Sequence, residues 1–183
     1  MSTWVTNHVP GMIQYLGQTV NQFGLDQTGT IDYQFNQQGF RSPVDFNFVP
    51  DYAFFGCSSV FGIGVANNHV FPSMFPKTHN YGIAGDYNND DAFLIIDNYL
   101  HSSAFNKLAK KFVYWTNRNT ESLDRYSKQL SQLGFIQAFC GHKMPYKNCF
   151  SGIPDVDADI SNTHMGAATH LITYKLLCKL FKQ

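Results

Sequence analysis

The sequence predicts a single α+β domain, and three observations carry that expectation. Its 183 residues suffice for one folded unit with a substantial core and are short for two. Short apolar runs with strand-like alternation are set between segments of helical periodicity. Neither an internal repeat nor a low-complexity tract divides the chain. The expected division is an N-terminal helix and strand over 1–35, a core over 36–166 and a C-terminal helix over 167–183.

The elements follow in order. Met12, Ile13, Leu16, Val20 and Phe23 recur at helical spacing between Pro10 and Gly24, which predicts a helix there. Ile31, Tyr33 and Phe35 alternate as in a strand. From 36 to 80 the chain is rich in Gly, Pro, Asn and Phe, with short runs such as "YAFFG" and "VFGIGV". That pattern reads as long loops with short strands, and loops of such length tend to carry function. "GIAGDY" can form a short strand, and "AFLIIDNYL" is apolar enough to be a buried strand or helix. Phe105, Leu108, Ala109 and Phe112 share one helical face in "SSAFNKLAKKFVYW", so a helix is expected there. "TESLDRYSKQLSQLGF" predicts another, closed by Gly134. "AATHLITYKLLCKLFK" predicts the last.

Thirteen basic and thirteen acidic residues cancel, so no strong field recruits nucleic acid or an anionic membrane. No run of about 18 apolar residues is present, which excludes a membrane-spanning helix by the hydropathy criterion. The N-terminal stretch lacks the basic and apolar regions of a secretory signal. Cys57, Cys140, Cys149 and Cys178 include no CxxC pair, and reduced thiols are expected. With 17 Phe and 10 Tyr, the chain should form a ring-lined core or an extended binding surface.

The stretch "KTHNYGIAGDY" concentrates the chemistry. A turn at Gly82 would bring His79 and Asp86 toward one point, with Ala84 and Gly85 leaving room for a cation. The pattern His79, Gly82, Ala84, Asp86 resembles the zinc motif of the D,D- and L,D-peptidases that cut peptidoglycan stem peptides. That family includes vancomycin-resistance carboxypeptidases and L-alanyl-D-glutamate endolysins, and shares its fold with the hedgehog signalling domain. "GFRSP", Gly39 to Pro43, is similar to a Gly-Tyr-Arg-Ser-Pro stretch in part of the family. Lys77 stands where the family usually has serine.

The resemblance implies a hedgehog-like α+β domain with a small antiparallel sheet and flanking helices, binding Zn2+. Its ligands would be His79, Asp86 and a late histidine: His164, with His142 and His170 as alternatives. Arg41 would point into the site and hold oxyanion or carboxylate charge. The family's general base falls at Ser161 here, so Asp159 or Asp157 would have to serve. The implied activity is a zinc metallopeptidase acting on stem peptides. A phage-derived lysin of this kind would be made in the cytoplasm and then released to the cell wall or carried in a virion.

Other readings stay open. His79 and Asp86 also fit a hydrogen-bonded loop pair, Arg41 a Ser-Pro turn, and His164 a polar residue ahead of the last helix. Cys57 in "FFGCSSVFG", paired with His79, would make a thiol nucleophile. Asp155, Asp157 and Asp159 alternate as in a calcium loop, but the required glycine and closing glutamate are replaced by Ile160 and Gly166. A catalytically inactive structural or interaction protein, such as a component of a virion or another assembly, fits the low charge and the abundance of Asn, Gln, Phe and Tyr.

Overall fold

The computed structural model describes residues 11–21, 24–84, 88–116, 123–139, 149–151 and 164–182, with side chains from residue 31 onward except at 149–151. The chain opens with a hairpin of two long antiparallel strands, β1 (Gly11–Asn21) and β2 (Gly24–Phe35), with an irregularity between Thr19 and Val20. The helix expected over 10–24 is therefore a strand. Gly17 sits mid-segment opposite Gly29, and an interior glycine costs a helix about 1 kcal/mol relative to alanine. Pairing with 24–35 then overrides a periodicity that five apolar residues carry only weakly.

Five further strands form one sheet in the order β4-β3-β5-β6-β7. These are β3 (Tyr52–Gly56), β4 (Thr78–Gly82), β5 (Lys110–Trp115), β6 (Phe135–Phe139) and β7 (Cys149–Ser151). Every pairing among them is parallel. The mixed helix-and-strand character and the small sheet match expectation. The strand directions differ from expectation, because among the described strands the hairpin pairs antiparallel and the sheet pairs parallel. In order along the sheet the five strands read second, first, third, fourth, fifth, a doubly wound arrangement.

Among the described residues four α-helices cover this sheet: α1 (Ser58–Phe61), α2 (Asn89–Leu100), α3 (Leu123–Gln132) and α4 (Ala167–Leu180). On one face, Ala53, Phe55, Val113, Phe135 and Phe139 meet Ile95, Ile96 and Tyr99 of α2 and Tyr126 and Leu130 of α3. On the other, Phe54, Phe112, Tyr114 and Ala138 meet Val60 of α1, Phe71 and Phe75, and Leu177 of α4. The helix expected over 102–115 is a turn followed by β5. Its residues Lys111 to Trp115 are all buried, and a strand covered on both faces reads as a continuous apolar run rather than an alternation. The helices expected at 121–134 and 167–182 are present. "AFLIIDNYL" resolves as helix because Asn88 caps it, its side chain accepting from Asp90 and Asp91 amides while Asp91 bonds back to the Asn88 N–H, a reciprocal box. Of "GIAGDY", Gly82 ends β4, Ile83 and Ala84 lie outside any strand, and 85–87 lie outside the described residues.

Among the described residues no helix is long and apolar enough to cross a membrane.

Close packing fixes two glycines at the carboxyl edge of the sheet. Gly56 has φ of 141° and lies against the Tyr114 carbonyl, while a side chain at Gly82 would run into the Val60 and Phe61 backbone. Gly82→Ala should therefore destabilise the fold by about 1–3 kcal/mol. At roughly 2–4 °C per kcal/mol for a chain of this size, the shift is measurable by thermal melting. An unchanged melting temperature would show that α1 does not lie against β4.

Candidate functional site

In a doubly wound sheet, ligands bind beyond the carboxyl ends of the strands where the winding direction reverses. Here the reversal lies between β3 and β5. The connection from β3 leads outward to β4 over the α1 face, and those from β4 and β5 run through α2 and α3 on the opposite face. Leaving β3, the chain passes Gly56, Cys57 and Ser58 and turns at once into α1. Val60 and Phe61 amides both donate to the Cys57 carbonyl, so Ser58 is the first residue of the helical turn. The amides of Ser58 and Ser59 precede that ladder, where a helix supplies no acceptor of its own. Ser58 and Ser59 are half-exposed.

This turn is held from several sides. Arg41, almost wholly buried, donates from Nη1 to the carbonyls of Phe61, at 3.1 Å, and Gly62, and from Nη2 to that of Val65 at 2.6 Å. Its guanidinium lies 4.1 Å from the centre of the Tyr33 ring, and the Tyr33 hydroxyl accepts from the Gly64 amide at 2.5 Å. Asn80 of β4 donates to the Val60 carbonyl at 3.1 Å and accepts from the Gly82 amide at 2.9 Å. Burial lowers the Arg41 pKa to about 10, partly opposed by Tyr33, so the cation persists at neutral pH. "GFRSP" has a local cause: the Asn36 side chain accepts from the Gln38 and Phe40 amides and Gly39 adopts φ of 78°, returning Arg41 to bridge with Phe35.

The opposite wall of the crevice is anchored similarly. Asn89, at the start of α2, accepts from the Thr116 amide at 2.9 Å and donates to its carbonyl at 3.1 Å. Trp115 at the end of β5 donates to Gln137 at 2.8 Å, and Gln137 in turn donates to the Ser127 carbonyl at 2.9 Å.

His164 approaches from the last helix. Phe181 beyond the end of α4 lies tilted 5.6 Å from Tyr52, the first residue of β3, whereas Ala167 at its start packs with Val65 and Val70, which follow α1. The helix thus runs opposite to β3. Its 14 residues extend about 21 Å, further than the ~17 Å of a five-residue strand. The start of α4, with His164 three residues ahead of it, therefore stands at the carboxyl edge with Ser58.

The predicted metal ligands are distributed differently. His79 lies on β4, fully buried, its ring stacked 4.1 Å from Phe46 and edge-on to Phe48 at 4.5 Å. Its Nδ1 is 2.9 Å from the Tyr81 hydroxyl. Tyr81 belongs to the cluster on the α2 and α3 face, whereas His164 precedes Met165 of the α4 face. His170 is also on the α4 side, its Nδ1 accepting from the Phe71 amide at 3.3 Å. The sheet separates His79 from both histidines. Asp86, His142, Asp157 and Asp159 lie outside the described residues. Among the described residues no three His, Cys, Asp or Glu side chains gather as a metal site. The described part of the expected zinc set does not fit one ion.

Two further expectations are corrected. Arg41 spends both Nη atoms on backbone carbonyls rather than projecting them at a reacting group. Cys57 packs with the α4-side cluster and so cannot share a site with His79 across the sheet. Ser58 was missed. Its signal in the sequence was "FFGCS", a fully buried strand ending in glycine followed within two residues by a hydroxyl. Compared with protein-family models, curated proteins and solved structures, the chain matches none.

Burial holds the His79 pKa down at about 4. The unfolded chain protonates this group near pH 6.5, so the neutral ring's contribution is complete above that value. It is lost progressively as pH falls toward 4, by on the order of 3 kcal/mol. Denaturant titrations from pH 7 to 4 should show a smaller loss for His79→Phe than for the parent chain; parallel curves would remove His79 as the cause. Arg41→Lys, which replaces a planar fork by a point charge, should cost at least about 2 kcal/mol by leaving buried carbonyls unpaired. Urea unfolding measures this, and a loss below the error of the method would contradict the clamp.

Proposed function

We propose that the chain is a serine-dependent acyl hydrolase, with Ser58 as nucleophile and His164 as general base. The observation that supports it most is the placement of Ser58 at a strand-to-helix turn on the carboxyl edge, beside the winding reversal and at the end of the sheet that the start of α4 reaches. A hydroxyl in such a turn is exposed above the sheet, and the amide of the next residue faces the charge that develops during acyl transfer. The Ser58 oxygen attacks the substrate carbonyl, and His164 takes the Ser58 proton and passes it to the departing alcohol. The Ser59 amide stabilises the oxyanion. Water, activated by the same imidazole, then frees the acid and restores Ser58. A carboxylate to orient His164 is sought in Asp157 and Asp159, which the sequence places a few residues upstream.

A zinc peptidase acting on peptidoglycan stem peptides has less support, because His79 and His164 stand on opposite faces of the sheet. Its one favourable feature is the buried His79 Nε2, which has no hydrogen-bond partner.

A fluorophosphonate probe followed by peptide mapping tests the proposal. Label is expected on Ser58, and p-nitrophenyl acetate hydrolysis should fall by about 10³-fold or more in Ser58→Ala and His164→Ala. Label on Cys57, or hydrolysis unchanged in Ser58→Ala, would overturn it. Absence of any label or turnover would favour the interaction-protein reading.

A further inference from the structure

Strand β4 is an edge of the parallel sheet, and a cleft of ≈ 210 Å³ opens along it. One wall is formed by Ser42, Pro43, Val44 and Phe48; the other carries Asn67, Ser73 and Phe75, with Lys77, Thr78 and Asn80 along the floor. The direction of the floor's backbone groups follows from three bonds. The Lys77 carbonyl accepts from Asp51 and the Ile83 amide donates to Gly56, so residues 77 and 83 face β3, whereas the Gly82 amide turns to the Asn80 side chain. By the two-residue alternation of a strand, Thr78 and Asn80 present their amide and carbonyl groups to the outer edge. Such an edge accepts another strand.

The charge around the cleft is one-sided. Arg41 and Lys77 line it, and no Asp or Glu does. Among the described residues no carboxylate pairs with Arg41, whose buried Nε has no hydrogen-bond partner. Among the described residues its cation is therefore balanced by carbonyl dipoles and the Tyr33 and Phe61 rings rather than by a carboxylate, and an anion in the adjoining cleft would be strongly favoured. Lys77 approaches Asp51 only at 4.0 Å, in an exposed pair. It also has φ of 45°, a left-handed conformation that non-glycine residues adopt rarely and often at functional positions.

We propose that this cleft captures the carboxyl terminus of an extended peptide. The peptide adds beside β4 through the Thr78 and Asn80 backbone, and its terminal carboxylate is held by Lys77, with the buried Arg41 cation adding its field while its Nη atoms stay on the α1-turn carbonyls. Val44, Phe48 and Phe75 receive its side chains. The volume is below the ~300–1,000 Å³ of a drug-sized site, which suits the last residues of a chain. The proposal is independent of Ser58 chemistry.

The test uses the intact protein and a pool of N-acetylated tripeptides with free carboxyl termini, compared with the same pool as C-terminal amides. Backbone amide shifts of Thr78 and Asn80 are followed by NMR. The acid pool should move both resonances at concentrations at least tenfold below the amide pool, and Lys77→Gln should weaken the response severalfold with an unchanged melting temperature. Arg41 variants are avoided because they weaken the fold. Absence of shifts, equal response to acids and amides, or identical shifts with acetate alone at the same concentration would overturn peptide capture.

Discussion

One buried cation organises the carboxyl edge of this protein. Arg41 reaches the turn after α1 and donates to three carbonyls there, those of Phe61, Gly62 and Val65. These carbonyls belong to irregular backbone that no helix or strand ladder satisfies, and an unpaired buried carbonyl costs about 1–3 kcal/mol. The same guanidinium rests on Tyr33 of the hairpin, so it couples the N-terminal hairpin to the doubly wound sheet. The position of Ser58, three residues before Phe61, depends on that coupling. Asn80 and Gly82 complete it by letting α1 lie directly against the end of β4.

The sheet itself divides the molecule's chemistry. Its α2 and α3 face holds the aromatic stack around His79, in which Phe46, Phe48 and Tyr81 surround the imidazole. Its α1 and α4 face, and the edge above it, hold Ser58 and the approach of His164. A histidine in the first environment stays neutral and supports packing. Sequence spacing joins His79 and Asp86 in one pattern, but strand geometry fixes the face on which His79 sits. Spacing alone carries no information about which face a distant histidine will occupy.

Legibility in the sequence followed the physical origin of each element. Helix α3 was readable because its apolar stripe of Leu123, Tyr126 and Leu130 faces the core and Gly134 stops it in a left-handed turn. Helix α4 was readable as an apolar run, although its buried face is made of Ala167, Thr169, His170, Thr173 and Leu177 and Leu171 is exposed. Strand β3 was readable as a short aromatic run ending in glycine. Strand β5 was not, because burial on both faces erased its alternation, and β1 was not, because its pairing partner lies downstream and periodicity sees only local sequence. Arg41 stands out in the sequence, but the partners of its fork do not. An arginine after a tight turn has the same sequence appearance whether its fork meets a substrate or three backbone carbonyls. Ser58 was passed over in favour of its neighbour Cys57, since the value of a hydroxyl there depends on parallel strand order, which becomes visible only in three dimensions.

The central claim is that the Arg41-anchored turn and the start of α4 bring Ser58 and His164 together above the β3–β5 reversal. A crystal structure that resolves both side chains measures it most directly. The Ser58 oxygen should lie about 3 Å from an imidazole nitrogen of His164, or be joined to it through one water. A separation beyond about 6 Å, more than one bridging water can span, would contradict the account.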